Sequence, residues 1–267
     1  MIKNILWILV GIAGCYLFFC GLIYFLQEKI IFFPQKLPSD HKFLFDQEFE
    51  EINIKTPDNV NLHGILFRAD QSRGLIFYLH GNAGSLDSWG MVAGDYLDMG
   101  YNLFMLDYRG YGKSEGNISS EKQFMSDVQL AYDYLKTRYK ENEIVVLGYS
   151  LGTAPASMLA ANNTPRLLIL QAPYYSFVDM KEKHYPILPT NLLKYRFDTS
   201  SFLDQVSAPV AIFHGTNDEV IYYGSSLKLE RHLKPGDELI TLQNQGHNDM
   251  SGDPIYLENI QRLLKVK

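Results

Sequence analysis

The chain has 267 residues, of which 46% are hydrophobic, and this is enough for one sizeable domain with its own core. Its formal net charge is −6 and no stretch interleaves basic with aromatic residues, which argues against a nucleic-acid partner. The only two cysteines, Cys15 and Cys20, lie in the apolar N-terminus, so the rest of the chain offers neither a disulfide nor a thiolate metal cluster.

The chain begins with a long apolar segment. Residues 5–26 carry no charge, and as a helix they would be about 33 Å long, enough to cross a hydrocarbon layer of about 30 Å. We therefore expect residues 1–30 to form a single-pass membrane anchor. The alternatives are a cleaved signal peptide, for which the apolar run is too long, a lipoprotein cleavage site at the IAGC sequence of residues 12–15, and a buried core helix.

The segment after the anchor, residues 28–38, combines aromatic residues with lysines. Such a mixture suits the headgroup zone of a bilayer, and we expect an interfacial collar here. The compact domain is expected at residues 45–267. It opens with two alternating stretches, residues 50–56 and 60–69, which predict an antiparallel hairpin at the edge of a sheet.

Short, continuously apolar runs follow, and such runs are typical of strands buried on both faces of a parallel sheet. They lie at residues 74–80, 101–108, 143–149, 166–172 and 209–215. A last strand is expected at residues 237–243.

Helical spacing of apolar residues is found between and after these runs. The predicted helices lie at residues 85–98, 121–139, 151–162, 222–233 and 253–266. Strands that alternate with helices predict an α/β fold with a doubly wound, mostly parallel sheet of about eight strands.

One connection, residues 173–208, is longer than a crossover needs and is rich in Tyr, Phe, Leu and Pro. We expect a small cap insertion over the carboxyl edge of the sheet. The alternative is a longer excursion that contains one ordinary helix.

A serine between two glycines stands at the junction of a buried strand and a helix, in Gly148-Tyr149-Ser150-Leu151-Gly152. The glycines remove Cβ atoms that would collide in a sharp turn, and the turn leaves the serine hydroxyl exposed above the sheet. Because a serine hydroxyl is a weak nucleophile, it needs a base, and the base needs an orienting carboxylate. We therefore predict Ser150 as a catalytic nucleophile, against the alternative of an ordinary strand–helix turn.

Candidates for the other two groups follow in the chain order serine, acid, histidine. Asp218 comes just after a buried run, and His247 follows the last predicted strand, so both lie where open α/β sheets place their ligands. We predict Asp218 as the acid and His247 as the base, with Glu219 and Asp249 as rival acids. His214 is expected to shape the turn before Asp218, and an isolated surface histidine is the alternative for His247.

A tetrahedral intermediate on this serine would carry an oxyanion, which needs two backbone N–H donors. We expect one from Leu151, directly after the nucleophile, and the other from the loop at residues 80–84, where the N–H of Asn82 is favoured. Gly81 would let the backbone approach closely at this point.

No metal and no cofactor are expected. No two histidines lie at the i, i+4 spacing of metal ligands on a predicted helix, which argues against His80 as a ligand. The glycines of residues 107–116 do not have the spacing of a phosphate-binding loop, so we expect a tight structural loop beside the site.

These motifs together resemble the α/β-hydrolase superfamily, and within it the membrane-associated Bem-type members and the related serine protein depalmitoylases. The resemblance runs from about residue 50 to the end and rests on HGNAG, DYRGYGKSEG, GYSLGTAPA, IFHGTNDEVI and GHND, in this order. It implies Ser150 as nucleophile, Asp218 as acid and His247 as base. The N-terminus departs from the depalmitoylases, which associate with membranes through a lipidated cysteine-rich segment, because here it is an apolar span.

The sequence therefore predicts a membrane-anchored serine hydrolase that cleaves carboxylic ester or thioester bonds. The expected substrates are acylated or lipid-like small molecules reached from the bilayer surface. Two alternatives stay open, a serine peptidase or amidase of the same fold and a catalytically inactive, membrane-tethered binding protein.

Overall fold

The computed structural model of the chain describes residues 2–248 and 250–265. Its centre is an eight-stranded sheet. The strands, β1 to β8 in chain order, are Phe49–Lys55, Asn61–Phe67, Leu75–Leu79, Asn102–Leu106, Ile144–Tyr149, Leu167–Gln171, Val210–Gly215 and Glu238–Leu242. Each strand lies within two residues of a predicted one.

The order of the strands across the sheet is β8-β7-β6-β5-β3-β4-β2-β1. Strand β2 runs antiparallel to both of its neighbours, β1 and β4, and the other neighbouring strands of this sheet pair in parallel, so the predicted edge hairpin is confirmed together with the mostly parallel α/β sheet. The pairing of Leu79 with Gly148 places the ends of β3 and β5 side by side. The loops that follow these two strands therefore emerge at the same edge, next to each other.

Nine α-helices are present in the described ranges of the chain. They are α1 to α9 at Ile2–Ile31, Leu86–Trp89, Ala93–Asp98, Glu121–Lys136, Thr153–Asn162, Phe177–His184, Thr199–Leu203, Gly224–Leu229 and Pro254–Lys265. The helix predicted at residues 85–98 is interrupted by a 3-10 turn at Gly90–Val92. A Cβ on Gly90 would lie 2.4 Å from the ring of Phe45, so this interruption coincides with close packing of the backbone against an aromatic side chain.

Both faces of the sheet are covered, which explains why its inner strands are mostly apolar. Alternate residues of β5 divide between two apolar clusters: Val146 packs with Phe124 of α4 on one face, and Val145 packs with Ile260 of α9 on the other. All four of these side chains are buried. A parallel sheet enclosed in this way carries its functional groups at the strand ends.

Helix α1 has 30 residues and rises about 45 Å. In the described part of the chain it is the one helix long and apolar enough to cross a membrane. Residues 2–19 are exposed, whereas Cys20 and Gln27 are buried against the rest of the molecule. The helix therefore projects its N-terminal part outward and packs its C-terminal part on the domain.

The expected collar, residues 28–38, is joined to the domain. Phe32 is buried and makes ring contacts with Phe124 and Tyr195, while Phe33 is exposed. Phe33–Pro34 forms a short parallel pair with Ala83–Gly84 in the loop after β3. The chain that leaves α1 is thus held against the loop in which an oxyanion donor is predicted.

The predicted cap, residues 173–208, contains α6, α7 and a 3-10 turn at Thr190–Leu192. It begins directly after β6, beyond Ala172, whose φ of +47° turns the chain sharply away from the sheet. Part of this segment runs along α1, where Gln27 Nε2 donates a hydrogen bond to the carbonyl oxygen of Leu192 at 2.9 Å.

Candidate active site

Ser150 stands at the end of β5 in a strained backbone conformation, with φ at +50°. Both flanking glycines are required by close approach of the backbone. A Cβ on Gly148 would lie 2.3 Å from the carbonyl oxygen of Gly152, and a Cβ on Gly152 would lie 2.0 Å from the carbonyl oxygen of Leu79. The turn thus forces the serine side chain out of the strand and presses its loop against the end of β3.

The structure brings the three predicted side chains together. The distance from Ser150 Oγ to His247 Nε2 is 3.1 Å, and the distance from His247 Nδ1 to Asp218 Oδ2 is 2.7 Å. All three residues are buried. With Asp218 ionised, His247 Nδ1–H donates to the carboxylate and leaves Nε2 as the acceptor for the serine hydroxyl.

Asp218 is held by donors on both of its oxygens. Oδ1 accepts from the backbone N–H groups of Val220 and Ile221 at 2.8 and 2.7 Å, and Oδ2 accepts from His247 and, at 3.2 Å, from His214 Nε2. Burial by itself would raise the pKa of Asp218, but the hydrogen bonds from His214 and His247 hold this pKa well below its usual range. Asp218 is therefore an anion at neutral pH.

His214 contacts Asp218 directly, whereas the sequence suggested only that it shapes the turn before Asp218. Its Nε2 lies 2.8 Å from the carbonyl oxygen of Ile221 as well as near Asp218, and its Nδ1 lies 2.6 Å from Ser226 Oγ. Both acceptors at Nε2 need a donor, so this nitrogen carries the proton and Nδ1 accepts from the serine hydroxyl. His214 thus fixes the loop that carries the acid.

Tyr149, the residue before the nucleophile, braces the base. Its hydroxyl donates to the carbonyl oxygen of His247, and the two rings lie 5.4 Å apart. On its other side the Tyr149 ring is 5.4 Å from that of Trp89. The residue between Gly148 and Ser150 therefore orients the histidine loop, a role that the sequence alone did not reveal.

The alternative acids predicted from the sequence are Glu219 and Asp249. Glu219 is exposed and its side chain is directed toward Gly246, whose Cβ would lie 3.3 Å from Glu219 Oε2. Asp218, by contrast, carries the carboxylate that contacts His247. Asp249 lies outside the described residues.

The predicted oxyanion donors belong to two loops that touch each other. Leu151 begins the turn after the nucleophile, and its carbonyl oxygen accepts from Tyr174 Oη at 3.1 Å. The loop with Asn82 follows β3, and the close approach of Gly152 to the carbonyl oxygens of Leu79 and His80 sets the two loops against each other. A Cβ on Gly81 would meet Trp89 and Tyr149 at 3.0 Å, so this glycine also permits close packing.

The side chain of Asn82 connects this loop to the chain that leaves α1. Its Nδ2 donates to the carbonyl oxygen of Ile31, and its Oδ1 accepts from the backbone N–H of Phe33 at 3.2 Å and from Tyr111 Oη at 2.9 Å. Two residues further on, Gln35 N–H donates to the carbonyl oxygen of Gly84 at 2.9 Å. The sequence predicted the backbone role of Asn82 but not these side-chain contacts.

His80 is a structural residue of the same loop. Its Nδ1 donates to the carbonyl oxygen of Gly81 at 2.7 Å, and its ring lies 4.2 Å from that of Tyr108. Burial lowers the pKa of His80, so the imidazole is neutral at physiological pH. Within the ranges that the structure describes, no three His, Cys, Asp or Glu side chains are grouped so that they could hold a metal ion.

The glycine-rich loop at residues 107–116 is built around buried charges. Arg109 donates to both oxygens of Asp58 at 2.7 and 2.8 Å and to both oxygens of Asp127 at 2.6 and 3.0 Å. Asp107 is buried and its Oδ1 accepts from the N–H of Leu86 at 3.0 Å. These contacts agree with the interpretation of this stretch as a structural loop.

Sequence comparison relates the chain to annotated hydrolases. The profile of the family described as serine aminopeptidase, S33, matches residues 70–199. Alpha/beta hydrolase domain-containing protein 17B of Xenopus laevis is 32% identical over 198 residues, which are 71% of this chain and 65% of that protein. The human protein 17C is 32% identical over 205 residues, 73% of this chain and 59% of that protein. The chain spans less than two thirds of the length of these relatives.

Solved structures share the fold. An esterase of Pyrococcus furiosus has a TM-score of 0.72 at 19% identity, covering 88% of this chain and 97% of that one. Acetyl xylan esterase 1 of a Thermoanaerobacterium species has a TM-score of 0.67 at 14% identity, covering 84% of this chain and 86% of that one. The sheet order and the sharp turn at the serine agree with these matches, and the chain has the α/β-hydrolase fold.

Proposed function

We propose that this protein is a membrane-anchored serine hydrolase that cleaves ester or thioester bonds of acylated or lipid-like substrates. The observation that carries the proposal is the chain of contacts from Ser150 Oγ to His247 Nε2 at 3.1 Å and from His247 Nδ1 to Asp218 Oδ2 at 2.7 Å. A buried, ionised carboxylate behind the imidazole is what activation of a serine hydroxyl requires.

The reaction would proceed by acyl transfer. Ser150 Oγ attacks the substrate carbonyl carbon while His247 Nε2 takes the hydroxyl proton, and Asp218 stabilises the resulting imidazolium. The imidazolium then returns its proton to the leaving alcohol or thiol as the tetrahedral intermediate collapses to an acyl-enzyme. Water, deprotonated by the same imidazole, hydrolyses the acyl-enzyme and restores the serine.

The oxyanion of the intermediate would be bound by the N–H groups of Leu151 and Asn82. Contact between their two loops at Gly152 supports this assignment, since both donors then lie at one edge of the sheet. Donors fixed in advance in this way stabilise developing charge without reorganisation, and each is worth about 3 kcal/mol.

The preference for esters over amides rests on the fold neighbours and the N-terminus. Solved structures that share the fold include the Pyrococcus furiosus esterase and acetyl xylan esterase 1. Helix α1 would hold the enzyme at a bilayer, and the predicted cap at residues 173–208 packs against that helix. A site beside a membrane anchor favours substrates that carry an acyl chain.

Fluorophosphonate labelling and hydrolysis of p-nitrophenyl esters test the proposal. We expect Ser150→Ala to abolish labelling and to lower kcat by about 10⁴-fold or more. Ser157→Ala is the matched control, because Ser157 is a buried serine of the helix after the nucleophile that donates only to the carbonyl oxygen of Thr153, at 2.9 Å. Wild-type activity in Ser150→Ala would contradict the nucleophile, and a folded wild type that neither labels nor hydrolyses would favour a binding protein.

An amidase or peptidase is the second candidate, and the description of the matched family as serine aminopeptidase favours it. The same groups would act, with His247 protonating a leaving amine. Matched p-nitroanilide and p-nitrophenyl substrates with one acyl group separate the two. Ester hydrolysis alone, lost in Ser150→Ala, supports the esterase, whereas comparable kcat/KM on the anilide supports the amidase.

A further inference from the structure

A short part of the predicted cap has the composition of a membrane-entering loop. Residues 185–193, YPILPTNLL, carry no charge, and they are flanked by Lys183 and Lys194. Two of their apolar side chains point outward, since Tyr185 is 63% and Ile187 is 73% exposed. Exposed apolar residues bracketed by lysines suit a segment whose ends lie among lipid headgroups.

This segment runs alongside α1. At one end, Gln27 Nε2 donates to the carbonyl oxygen of Leu192 at 2.9 Å and Gln27 Oε1 accepts from the N–H of Lys194 at 2.7 Å. At the other end, Tyr16 Oη donates to the carbonyl oxygen of Ile187 at 2.7 Å. Between Tyr16 and Gln27 the helix rises about 16 Å, so the segment follows it for three turns.

The part of α1 that this segment follows is almost entirely apolar. Tyr16 lies about ten residues, or about 15 Å, on the N-terminal side of Leu26, where the uncharged stretch ends. The first charged group after this stretch, Glu28, pairs with Lys194 at 3.1 Å, and Lys194 Nζ also lies 4.8 Å from the centre of the Tyr24 ring. If Glu28 and Lys194 lie at the headgroup level, the carbonyl of Ile187 lies in the hydrocarbon layer.

The backbone of the segment is suited to such a place, because a polar group in hydrocarbon must be satisfied within the protein. The two prolines, Pro186 and Pro189, have no N–H to satisfy. Apart from the contacts with α1, five further hydrogen bonds involve the segment: Tyr185 N to Lys181 O, Leu188 N to Tyr185 O, Leu192 N to Pro189 O, Leu193 N to Thr190 O, and Lys181 Nζ to Leu188 O.

We propose that residues 185–193 form a dipping loop, which enters the hydrocarbon layer beside α1 with Tyr185 and Ile187 in contact with lipid acyl chains. The inference rests on the membrane anchoring in the proposed function and deepens it. Since the dipping loop belongs to the segment that follows β6, the predicted cap contacts the leaflet directly.

The depth of single nitroxide labels in phosphatidylcholine vesicles tests this. Each variant of the full chain carries one cysteine for the label. The test variant is Cys15→Ala/Cys20→Ala/Ile187→Cys, and the control is Cys15→Ala/Cys20→Ala/Lys140→Cys. The anchor reference is Cys20→Ala, which keeps Cys15. Lys140 is suited to the control because its side chain is 81% exposed. It also lies before the amino end of β5, whereas Ser150 follows the carboxyl end of the same strand. Power saturation compares the access of oxygen, which concentrates in lipid, with that of a water-soluble nickel complex.

We expect the labels at residues 187 and 15 to be relaxed by oxygen and shielded from nickel, and the label at residue 140 to show the reverse. A lipid-exposed label at residue 15 with a water-exposed label at residue 187 would overturn the dipping loop and leave the anchor intact. Water exposure of both would refute the membrane anchoring itself. A label at residue 187 that is shielded from both reagents would mean contact with a second copy or another protein, and this would also overturn the proposal.

Discussion

The two sides of the candidate site are built in different ways. The proposed acid, base and nucleophile follow three parallel strands, and their side chains are held by contacts among the loops at the ends of these strands, as Asp218 is by Val220 and Ile221. The loop with Asn82 also follows a strand, but the Asn82 side chain is bonded to Ile31, the last residue of α1, and to Phe33, two residues further on, both outside the eight-stranded sheet.

The difference separates what the fold supplies from what this chain adds. An open parallel sheet brings strand-end residues to one edge whatever surrounds it. The support of the loop with Asn82, the proposed oxyanion loop, instead depends on the chain that leaves the proposed anchor. Substitution of the strand-end residues, such as Asp218, should therefore lower kcat directly. Substitution of Asn82 should lower kcat by displacing one backbone N–H donor.

The largest effect is expected on the acid side, from Asp218→Asn. An amide in place of the carboxylate no longer holds His247 in the tautomer that accepts the serine proton, and such a change lowers kcat by about 10⁴-fold. Steady-state hydrolysis of a soluble p-nitrophenyl ester measures it. Glu219→Gln is the matched control, because Glu219 is the exposed neighbour, and we expect its kcat to stay within about twofold of wild type. A large loss in Glu219→Gln with little loss in Asp218→Asn would assign the acid to Glu219.

The next largest effect is expected at Gly152, where the loop after β5 touches the end of β3. A Cβ in Gly152→Ala would lie 2.0 Å from the carbonyl oxygen of Leu79, and because a backbone atom cannot move aside cheaply we expect a loss of about 3 kcal/mol in the free energy of unfolding. Thermal unfolding in detergent measures it. Gly94→Ala is the control, since this helical glycine has room for a Cβ and alanine should stabilise the helix slightly. Equal transition temperatures for the two variants would show that the loops are not in close contact.

The fold and the triad candidates could be predicted from the sequence because their signals are local. Each strand of the sheet is a short apolar or alternating run, and Ser150, Asp218 and His247 stand next to such runs. Their order in the chain is the order in which this kind of sheet uses them. The spatial meeting of these residues follows from parallel strands, and no side-chain detail is needed to expect it.

The rest depends on contacts between distant parts of the chain. The pairing of Phe33–Pro34 with Ala83–Gly84 is too short to produce a periodic pattern, so residues 28–38 suggested only a headgroup collar. The second contact of Asp218, with His214, links residues that in sequence look like parts of one turn. Single-sequence patterns report which face of an element is buried, and they do not report which partner covers it.

A smaller effect is expected on the oxyanion side, from Asn82→Ala. The substitution removes the hydrogen bonds to Ile31, Phe33 and Tyr111 but keeps the backbone N–H, so the donor should be displaced rather than lost. We expect kcat to fall about 10- to 100-fold with little change in KM, because the interaction forms only in the transition state. The same soluble ester should be used, since it does not depend on access from a membrane.

Two variants control this measurement. Asn82→Asp keeps the acceptor for Phe33 and Tyr111, but its carboxylate faces the carbonyl oxygen of Ile31 and adds a negative charge beside the proposed oxyanion, so its kcat should fall at least as far as that of Asn82→Ala. Asn259→Ala removes a half-buried asparagine of α9 that donates to the carbonyl oxygen of Ile255 and accepts from Arg262, far from the candidate site in the chain, and its kcat should be that of wild type. Wild-type kcat in Asn82→Ala would show that the chain after α1 does not position the oxyanion loop.

The smallest predicted effect is a pH dependence of thermal stability, which we expect for Asp218→Asn and not for Asn82→Ala. Because hydrogen bonds hold the pKa of Asp218 below its usual range, its ionised form stabilises the folded state above the ordinary carboxyl pKa of about 3.9, and this contribution is lost as the pH falls through the lowered value. The gap in transition temperature between wild type and Asp218→Asn should therefore be largest near pH 7 and should narrow below pH 4. Asn82 contacts only neutral groups, so the gap for Asn82→Ala should stay constant over the same range. A gap for Asp218→Asn that is unchanged on acidification would mean that this carboxylate is not held as an anion by the histidines around it.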